Sequence, residues 1–369
     1  MKVLAFLKKE IVLTIALVLA IVSAFFVPPD LTYLSYIDLH TLAVLFCLMA
    51  VMAGLQKCGV FRAVAQGLLQ KVKTIRSAVF LLIMLCFVSA MAITNDVALI
   101  TFVPFSFLVL GLIGAEHLIV PVVVMQTVAA NLGSMLTPIG NPQNLYLYGK
   151  AGLGLGEFVL LVLPYAAVSF VLLTLWSLMF TGKGEVSYVP QEKTELKQYK
   201  LPILVYAALF VVSLLTVAHI ISYPIALAVT VAAILLTDRK VLLDVDYSLI
   251  LTFVGFFIFI GNMGRIPAFN DLLSRVIRGN EVLTAVLSSQ VMSNVPAALL
   301  LSGFTNRYDL LIIGTNLGGL GTIIASMASL ISFKYIGKDY KHLRGKYMLY
   351  FTTVNLIFLV VLFALWIVL

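Results

Sequence analysis

Two short polar segments interrupt long apolar runs of this chain, and both centre on asparagine. The first is Thr94-Asn95-Asp96, and the second is Ser293-Asn294 followed by Pro296. An aspartate in the middle of a membrane helix costs about 2.5–3.5 kcal/mol on insertion scales, so such residues face a protein interior or a water-filled cavity. A helix that restarts after each segment presents its N-terminal N–H groups to an anion. The two segments are therefore predicted to bind small ions.

A seven-residue pattern, Asn-Leu-Gly-x-x-x-Thr, also occurs twice, at Asn131–Thr137 and at Asn316–Thr322. The first copy runs into a segment with two prolines, 138–144, and the second is interrupted by glycine alone. Proline frees backbone carbonyls that need other partners, so the first helix is predicted to break. Unwound carbonyls with Asn and Thr oxygens suit Na⁺, and the helix N-termini beside them suit an anion. The alternative is close helix packing through small residues.

These patterns define two overlapping sets of candidate residues. The substrate site is expected to include Thr94, Asn95, Thr137, Asn141, Ser293, Asn294 and Thr322. The coupling-ion site is expected to include Asn95, Asp96, Asn131, Gly133, Gly140, Asn294, Asn316 and Gly318. No organic cofactor and no metal other than Na⁺ is expected, because the three cysteines form no CxxC and the four histidines are scattered.

The elements that must position these residues are transmembrane helices. Of the 369 residues 62% are apolar and 11% are charged, against about 45–50% and about 25% in soluble domains. The chain is predicted to be an all-α polytopic membrane protein with about 9–11 transmembrane helices, in one integral membrane domain over 1–369. The net charge of +8 indicates topology rather than a nucleic-acid partner. The first apolar run, 11–27, is expected to be a retained helix rather than a signal peptide.

The second polar segment is expected at the tip of a re-entrant hairpin. Its arms, 282–292 and 297–304, are too short to span about 30 Å of hydrocarbon at 1.5 Å per residue. For the first segment, an alternative is a capped turn between two spanning helices at the membrane surface. We expect Asn95 or Asp96 to cap a helix that begins near Val97.

Lysine and arginine indicate the orientation. If the N-terminus is cytoplasmic and each interrupted run returns to the side it entered, 19 of the 24 basic residues lie in the cytoplasm, as the positive-inside rule favours. These are Lys2, Lys8, Lys9, Lys57, Arg62, Lys71, Lys73, Arg76, Lys183, Lys193, Lys197, Lys200, Arg239, Lys240, Lys334, Lys338, Lys341, Arg344 and Lys346. The others are Lys150, Arg265, Arg275, Arg278 and Arg307.

This orientation makes the two copies of the pattern an inverted pair. Asp38 opens a first repeat of about 38–181 that enters the membrane inward. Asp246 opens a second repeat of about 246–369 that enters outward. Polar, broken helices at matching places of inverted repeats are typical of the binding site of a secondary transporter.

At these motifs the chain resembles the ion transporter superfamily, which includes arsenite permeases, Na⁺/H⁺ antiporters, citrate transporters and divalent-anion/Na⁺ symporters. The resembling residues are Thr94–Val97 and the Asn-x-Pro tip within Ser289–Pro296, and the match spans roughly Asp38 to Ile336. The resemblance implies a homodimer, an elevator motion of the hairpin-bearing part, and coupling to Na⁺ or H⁺. Antiporter-like members tend to carry an acid at Ser293, so exchange that needs a carboxylate on both hairpins is disfavoured.

The sequence thus predicts a permease of a small inorganic or carboxylate anion, integral to the plasma membrane with a cytoplasmic N-terminus. A Na⁺/H⁺ antiporter that uses Asp96 and an arsenite efflux permease are the alternatives within transport. A membrane enzyme is disfavoured because Asp96 is the only clear acid at depth and has no neighbouring histidine or cysteine cluster. Paired broken helices favour alternating access over a channel.

Overall fold

The computed structural model describes residues 10–180, 184–185 and 196–369. Five of the lysines used to assign the orientation lie outside the described residues: Lys2, Lys8, Lys9, Lys183 and Lys193. Within the described ranges every regular element is a helix, and an isolated antiparallel bridge joins Thr74 to Glu185.

The α-helices follow the apolar runs of the sequence closely. In chain order they are α1 (Ile11–Phe26), α2 (Tyr33–Tyr36), α3 (Leu39–Lys57), α4 (Val60–Leu69), α5 (Ile75–Ile93), α6 (Asn95–Leu112), α7 (Ile119–Ser134), α8 (Pro142–Ala151), α9 (Leu155–Phe180), α10 (Lys200–Val217), α11 (Tyr223–Asp238), α12 (Tyr247–Gly264), α13 (Pro267–Ile277), α14 (Glu281–Met292), α15 (Asn294–Ser302), α16 (Tyr308–Gly318), α17 (Met327–Asp339) and α18 (Arg344–Val368). Eight helical stretches of the described chain have at least 18 residues and are apolar enough to cross a membrane. The all-α polytopic prediction is confirmed.

The helices pack in two groups. In the first group, α12 packs along α1, and α3 packs against α10 and α11. In the second, the helix pair α5–α6 packs on α7, and the pair α14–α15 packs on α16. The helices that follow α7 and α16 cross to the other half. Helix α8 packs on α15 and α16, and helix α17 packs on α6 and α7. The two copies of the Asn-Leu-Gly pattern therefore lie in one packed unit.

Contacts between distant segments identify which helix ends share a face of the bundle. Lys57 Nζ lies 2.6 Å from Asp238 Oδ2, so α3 and α11 end together. Arg265 Nη1 lies 2.9 Å from Asp30 Oδ2 and 3.2 Å from the Tyr36 hydroxyl, so α12 ends near the start of α3. Helices α3 and α12 therefore run in opposite directions, the relation expected if Asp38 and Asp246 open inverted copies.

The two helices also start in the same way. Asp38 caps α3 by accepting a hydrogen bond from the Thr41 backbone N–H at 3.0 Å. Asp246 caps α12 by accepting one from the Leu249 backbone N–H at 3.0 Å. A carboxylate at this position satisfies free donors and complements the helix dipole.

Candidate functional site

The two polar segments form tight helix-to-helix turns with one shared backbone conformation. Thr94, between α5 and α6, has φ 71° and ψ 151°. Ser293, between α14 and α15, has φ 75° and ψ 154°. Residues other than glycine rarely adopt positive φ, and a β-branched residue does so least readily. These turns are the tips of the two helix pairs.

Both tips are tied to the unwound segments by the same backbone hydrogen bond. The N–H of Asn95 donates to Gly140 O at 3.1 Å, and the N–H of Asn294 donates to Ala325 O at 2.9 Å. Helix α6 also starts earlier than expected from the sequence. The helix begins at Asn95 with Thr94 at its N-cap and no side-chain cap, so the expectation that Asn95 or Asp96 caps a helix starting near Val97 is wrong.

The helix breaks predicted from proline and glycine are confirmed. Residues 135–141 separate α7 from α8, and residues 319–326 separate α16 from α17. Asn141 caps α8 by accepting from the Asn144 N–H at 2.9 Å. Ser326 caps α17 by accepting from the Ala328 N–H at 3.2 Å. Proline is the first residue of α8, where its missing N–H has no helical partner to lose.

Asparagines join the two halves at the breaks. Asn141 Nδ2 donates to Asn316 Oδ1 at 3.0 Å. In the matching place, Ser326 Oγ donates to Asn131 Oδ1 at 2.9 Å. Asn131 Oδ1 also accepts from Asn95 Nδ2 at 3.1 Å, which links the first tip to this network. The structure thus brings together Asn95, Asn131, Asn141 and Asn316 from the predicted set.

The two threonines of the repeated pattern have another role in this conformation. The Thr137 hydroxyl donates to the Met91 carbonyl. The Thr322 hydroxyl donates to the Gln290 carbonyl at 3.1 Å. Each threonine ties its unwound segment to the first arm of the adjacent helix pair, and neither lines the two cavities described below.

The glycines of the pattern allow close helix approach. A Cβ on Gly133 would overlap the Phe87 backbone carbonyl of α5. A Cβ on Gly318 would meet Ser289 of α14. Each of these glycines therefore lets a broken helix touch the neighbouring arm, which is the close packing considered from the sequence for Gly318–Gly321.

A small cavity of about 10 Å³ lies between the two tips. Its lining contains the first residues, or the cap, of four helices of nine or more residues: Asn95 and Asp96 of α6, Pro142 and Gln143 of α8, Asn294 and Val295 of α15, and Ser326 and Met327 of α17. Helix N-termini each carry a partial positive charge of about half a unit. Four of them meeting at one cavity make a strongly electropositive backbone environment.

A larger cavity of about 160 Å³ adjoins the first one, sharing Asp96, Pro142 and Leu249 with it. It extends to Gln56, near the Lys57–Asp238 pair at the end of α3. Its lining contains three carboxylates, Asp96, Asp244 and Asp246, and no lysine or arginine.

Four polar residues of the site were not singled out from the sequence. Asn144 Nδ2 donates to Met135 O and Thr137 O, both at 3.2 Å, across the first break. Gln290 Nε2 donates to Gly318 O at 3.0 Å and Leu320 O at 2.9 Å across the second.

Gln143 and Ser326 are the other two, and both line the small cavity. The repeat itself could have found Ser326, since the spacing between the two copies of the pattern carries Asn141 onto it. Gln143 and Gln290 have no counterpart of the same type in the other half, so the repeat gave no signal for them.

The chain is similar in sequence to known membrane proteins and transporters. A model of the citrate transporter family (CitMHS) matches residues 3–305. The chain is 32% identical over 317 residues to the inner membrane protein YbiR of Escherichia coli, covering 84% of each chain. It is 31% identical over 335 residues to an uncharacterized transporter of Methanocaldococcus jannaschii, covering 89% of each.

A shorter match links the chain to a plant protein. It is 34% identical over 132 residues to a silicon efflux transporter of Oryza sativa, covering 35% of this chain and 26% of that one. The resemblance drawn from the motifs is confirmed by the family match, and the chain is an integral membrane transporter. It belongs to the citrate transporter family.

Proposed function

We propose that the chain is a secondary active transporter of a small inorganic or carboxylate anion, coupled to Na⁺ or H⁺. The observation that carries this proposal is the meeting of four helix N-termini at one cavity. Partial positive charge and free N–H groups at a helix start favour an anion. Asn95 and Asn294, at the two tips, provide amide groups on either side of that cavity.

The transport cycle in this proposal is an elevator-type alternation of two inverted repeats, about 38–181 and about 246–369. Matched tip conformations and matched tip-to-break hydrogen bonds support the repeat. The opposite directions of α3 and α12 support its inversion. In the cycle, the helix pairs with α7, α8, α16 and α17 would move as one body against the group that contains α3 and α12.

Asp96 has the central place in coupling. It lines both cavities, and its Oδ1 is buried with no hydrogen-bond partner in the described structure. A buried carboxylate in a membrane protein is costly unless it binds a cation or a proton. We assign it to the coupling ion. The proposal further places the protein as a homodimer in the plasma membrane, with a cytoplasmic N-terminus.

The test is uptake into proteoliposomes with a panel of labelled inorganic and carboxylate anions, with and without Na⁺ and pH gradients. Asn95→Ala and Asn294→Ala should each abolish uptake while the variants elute as the wild type does. Asn270→Ala, outside both cavities, is the control and should keep full uptake. Full transport by both tip variants would remove Asn95 and Asn294 from the site.

A second candidate is efflux of an uncharged hydroxylated acid, such as undissociated arsenite. The acid-lined 160 Å³ cavity favours it, since three carboxylates repel an anion but accept hydrogen bonds from hydroxyl groups. The match to a silicon efflux transporter over 132 residues agrees with this reading. Resistance of expressing cells to arsenite, lost in Asp96→Asn, would favour efflux over anion uptake.

The third reading, Na⁺/H⁺ exchange by Asp96, needs no anion. A pH-sensitive dye inside the same vesicles distinguishes it: proton release driven by Na⁺ in the absence of any transported anion would favour exchange. Proton movement that requires the anion would favour symport.

A further inference from the structure

A basic cavity of about 470 Å³ lies on the face of the bundle where α3 ends. It is bounded by the turn between α3 and α4, by one face of α6 and by the residues just before α10. Lys57 and Arg62 line it, and no aspartate or glutamate does so among the described residues. Its size falls within the range of about 300–1,000 Å³ that is usual for small-ligand sites. The cavity is therefore large enough for a ligand, and its charge favours an anion.

The two cations of this basic cavity keep hydrogen-bond donors for such a ligand. Gly59, with φ 75°, turns the chain from α3 into α4, so Lys57 and Arg62 stand on either side of the turn. Lys57 Nζ pairs with Asp238 Oδ2 at 2.6 Å, and an ammonium group with three donors has others left. Arg62 is exposed and forms no ion pair within the described ranges. Because a guanidinium binds phosphate oxygens through parallel hydrogen bonds, the lining suits a phosphate group.

One wall of the basic cavity is largely apolar and continues onto the outer surface of the bundle. Four residues at positions i, i+3, i+4 and i+7 of α6 form it: Thr101, Pro104, Phe105 and Leu108. Leu108 is 39% exposed, and α6 is long and apolar enough to cross a membrane, so acyl chains can reach this wall. A free inorganic anion would leave the wall without an apolar partner. A phosphate group that carries acyl chains would contact both the cations and the wall.

We propose that the basic cavity binds the headgroup of one anionic phospholipid, with the phosphate on Lys57 and Arg62 and an acyl chain along α6. Basic pockets between transmembrane helices on the cytoplasmic side bind such headgroups, and the proposed orientation places Lys57 on that side. The bound lipid joins the end of α3 to α6. These two helices belong to the two bodies that would move against each other in the proposed cycle, so the lipid favours the present conformation. Only this last consequence rests on the proposed function.

The first test is thermal unfolding of the purified full chain in detergent, titrated with dioleoylphosphatidylglycerol. A ligand that binds the native state raises its unfolding temperature by mass action, so we expect a saturable rise. Dioleoylphosphatidylcholine, whose headgroup has no net charge, and inorganic phosphate, which has no acyl chain, should give no rise. Arg62→Gln should require roughly tenfold more lipid for the same rise, because charge-assisted hydrogen bonds to the phosphate are lost. Lys71→Gln removes one exposed positive charge outside the cavity and is the matched control, which should respond as the wild type.

A second measurement needs no variant and covers the case in which Arg62→Gln does not fold. A phosphatidylglycerol with a photoreactive acyl chain should label the wild-type peptide that contains residues 101–108. Excess phosphatidylglycerol should abolish this labelling, and excess phosphatidylcholine should not.

Four results would each overturn the lipid site. They are an equal thermal response to phosphatidylcholine or to inorganic phosphate, an unchanged response in Arg62→Gln, an equal loss in Lys71→Gln, and labelling that both lipids abolish equally. Neither measurement uses a transported anion, so these results would leave the proposed function standing. The absence of anion uptake in proteoliposomes would count against the proposed function alone.

Discussion

Single residues at the tips carry the strain of the site. Thr94 and Ser293 both hold φ near 70° with extended ψ, a region occupied almost only by glycine. Such residues cost about 1–3 kcal/mol each and persist only where neighbouring contacts enforce them. Here the enforcing contacts are the bonds from the Asn95 N–H to Gly140 O in the first break and from the Asn294 N–H to Ala325 O in the second break. The strained turn directs the first N–H of each second arm toward the unwound segment.

Replacing either tip residue by glycine should relieve this strain. We expect Thr94→Gly and Ser293→Gly to raise the unfolding temperature by about 2 °C, since relief of strain exceeds the added entropy of glycine in the unfolded chain. Differential scanning fluorimetry in detergent checks this. Thr101→Gly, within α6, is the control and should lower it, because glycine costs about 1 kcal/mol inside a helix. A fall in both tip variants would contradict the positive φ.

At the scale of elements, the two helix breaks are held by different side chains. Asn144 lies after the first break, in α8, and reaches back to it. Gln290 lies before the second tip, in α14, and its Oε1 also accepts from the Thr322 N–H at 2.8 Å. The halves share backbone geometry at the tips but satisfy their freed carbonyls in unlike ways. The amide that spans the second break therefore comes from the adjacent helix pair, whereas the amide that spans the first break comes from α8.

Gln290→Leu should loosen the second break alone. It leaves Gly318 O and Leu320 O, which are part-buried, without this partner, at about 1–3 kcal/mol for each, and it also removes the acceptor of the exposed Thr322 N–H. Hydrogen exchange followed by mass spectrometry should show faster exchange over 319–326 and unchanged exchange over 135–141. Asn144→Leu is the matched change and should give the opposite pattern. Equal acceleration of both segments in both variants would contradict the separate roles of the two amides.

At the scale of the whole molecule, pairs of exposed charges hold helix ends together. The Thr32 hydroxyl and then the Arg265 guanidinium donate to Asp30 and lower the pKa of its carboxyl below the ordinary value. Lys57 does the same for the pKa of Asp238 on the opposite face. A carboxyl with a lowered pKa stabilises the fold above its ordinary pKa, and that contribution is lost as the pH falls through the folded-state value.

Asp30→Asn should therefore destabilise the protein at neutral pH and have little effect in acid. We expect a lower unfolding temperature than the wild type at pH 7, with the difference shrinking below about pH 4, the ordinary range of an aspartate. Unfolding temperatures of the variant and the wild type, measured at several pH values, check this expectation. Asp271→Asn, which makes no ion pair in the described part of the chain, is the control. A difference that is unchanged at pH 3 would show that the effect does not come from the charge.

The orientation of the molecule in the membrane is also testable. The native cysteines Cys47, Cys58 and Cys86 are buried, which keeps background labelling low. In intact cells, Arg278→Cys should react with an impermeant thiol reagent and Lys338→Cys should not, because the proposed topology places them outside and inside. Both positions are exposed. After lysis, both should react, and the reverse pattern in intact cells would invert the proposed topology.

The sequence by itself determined the helices and where they break. Apolar length defines a membrane helix because lipid offers no partner to the backbone. Proline ends such a helix because it has no N–H to donate and its ring clashes with the preceding turn, and glycine weakens it because its backbone is the most flexible. The breaks at 135–141 and 319–326, and the interruption at Thr94, follow from these local rules. The paired Asn-Leu-Gly pattern also indicated that two halves would meet at one site.

Only the tertiary structure decided which polar groups face the cavity and which hold the scaffold. Thr137 and Thr322 looked alike as ligands of a substrate, yet their hydroxyls bond to carbonyls of the neighbouring arms. Gln143, which carried no pattern, lies at the centre with a free oxygen. The reason is that the partner of a buried polar atom comes from a segment distant in sequence, as Ser326 does for Asn131. The chemistry of a side chain determines what it can bind, and the tertiary packing determines which groups lie close enough to bind it.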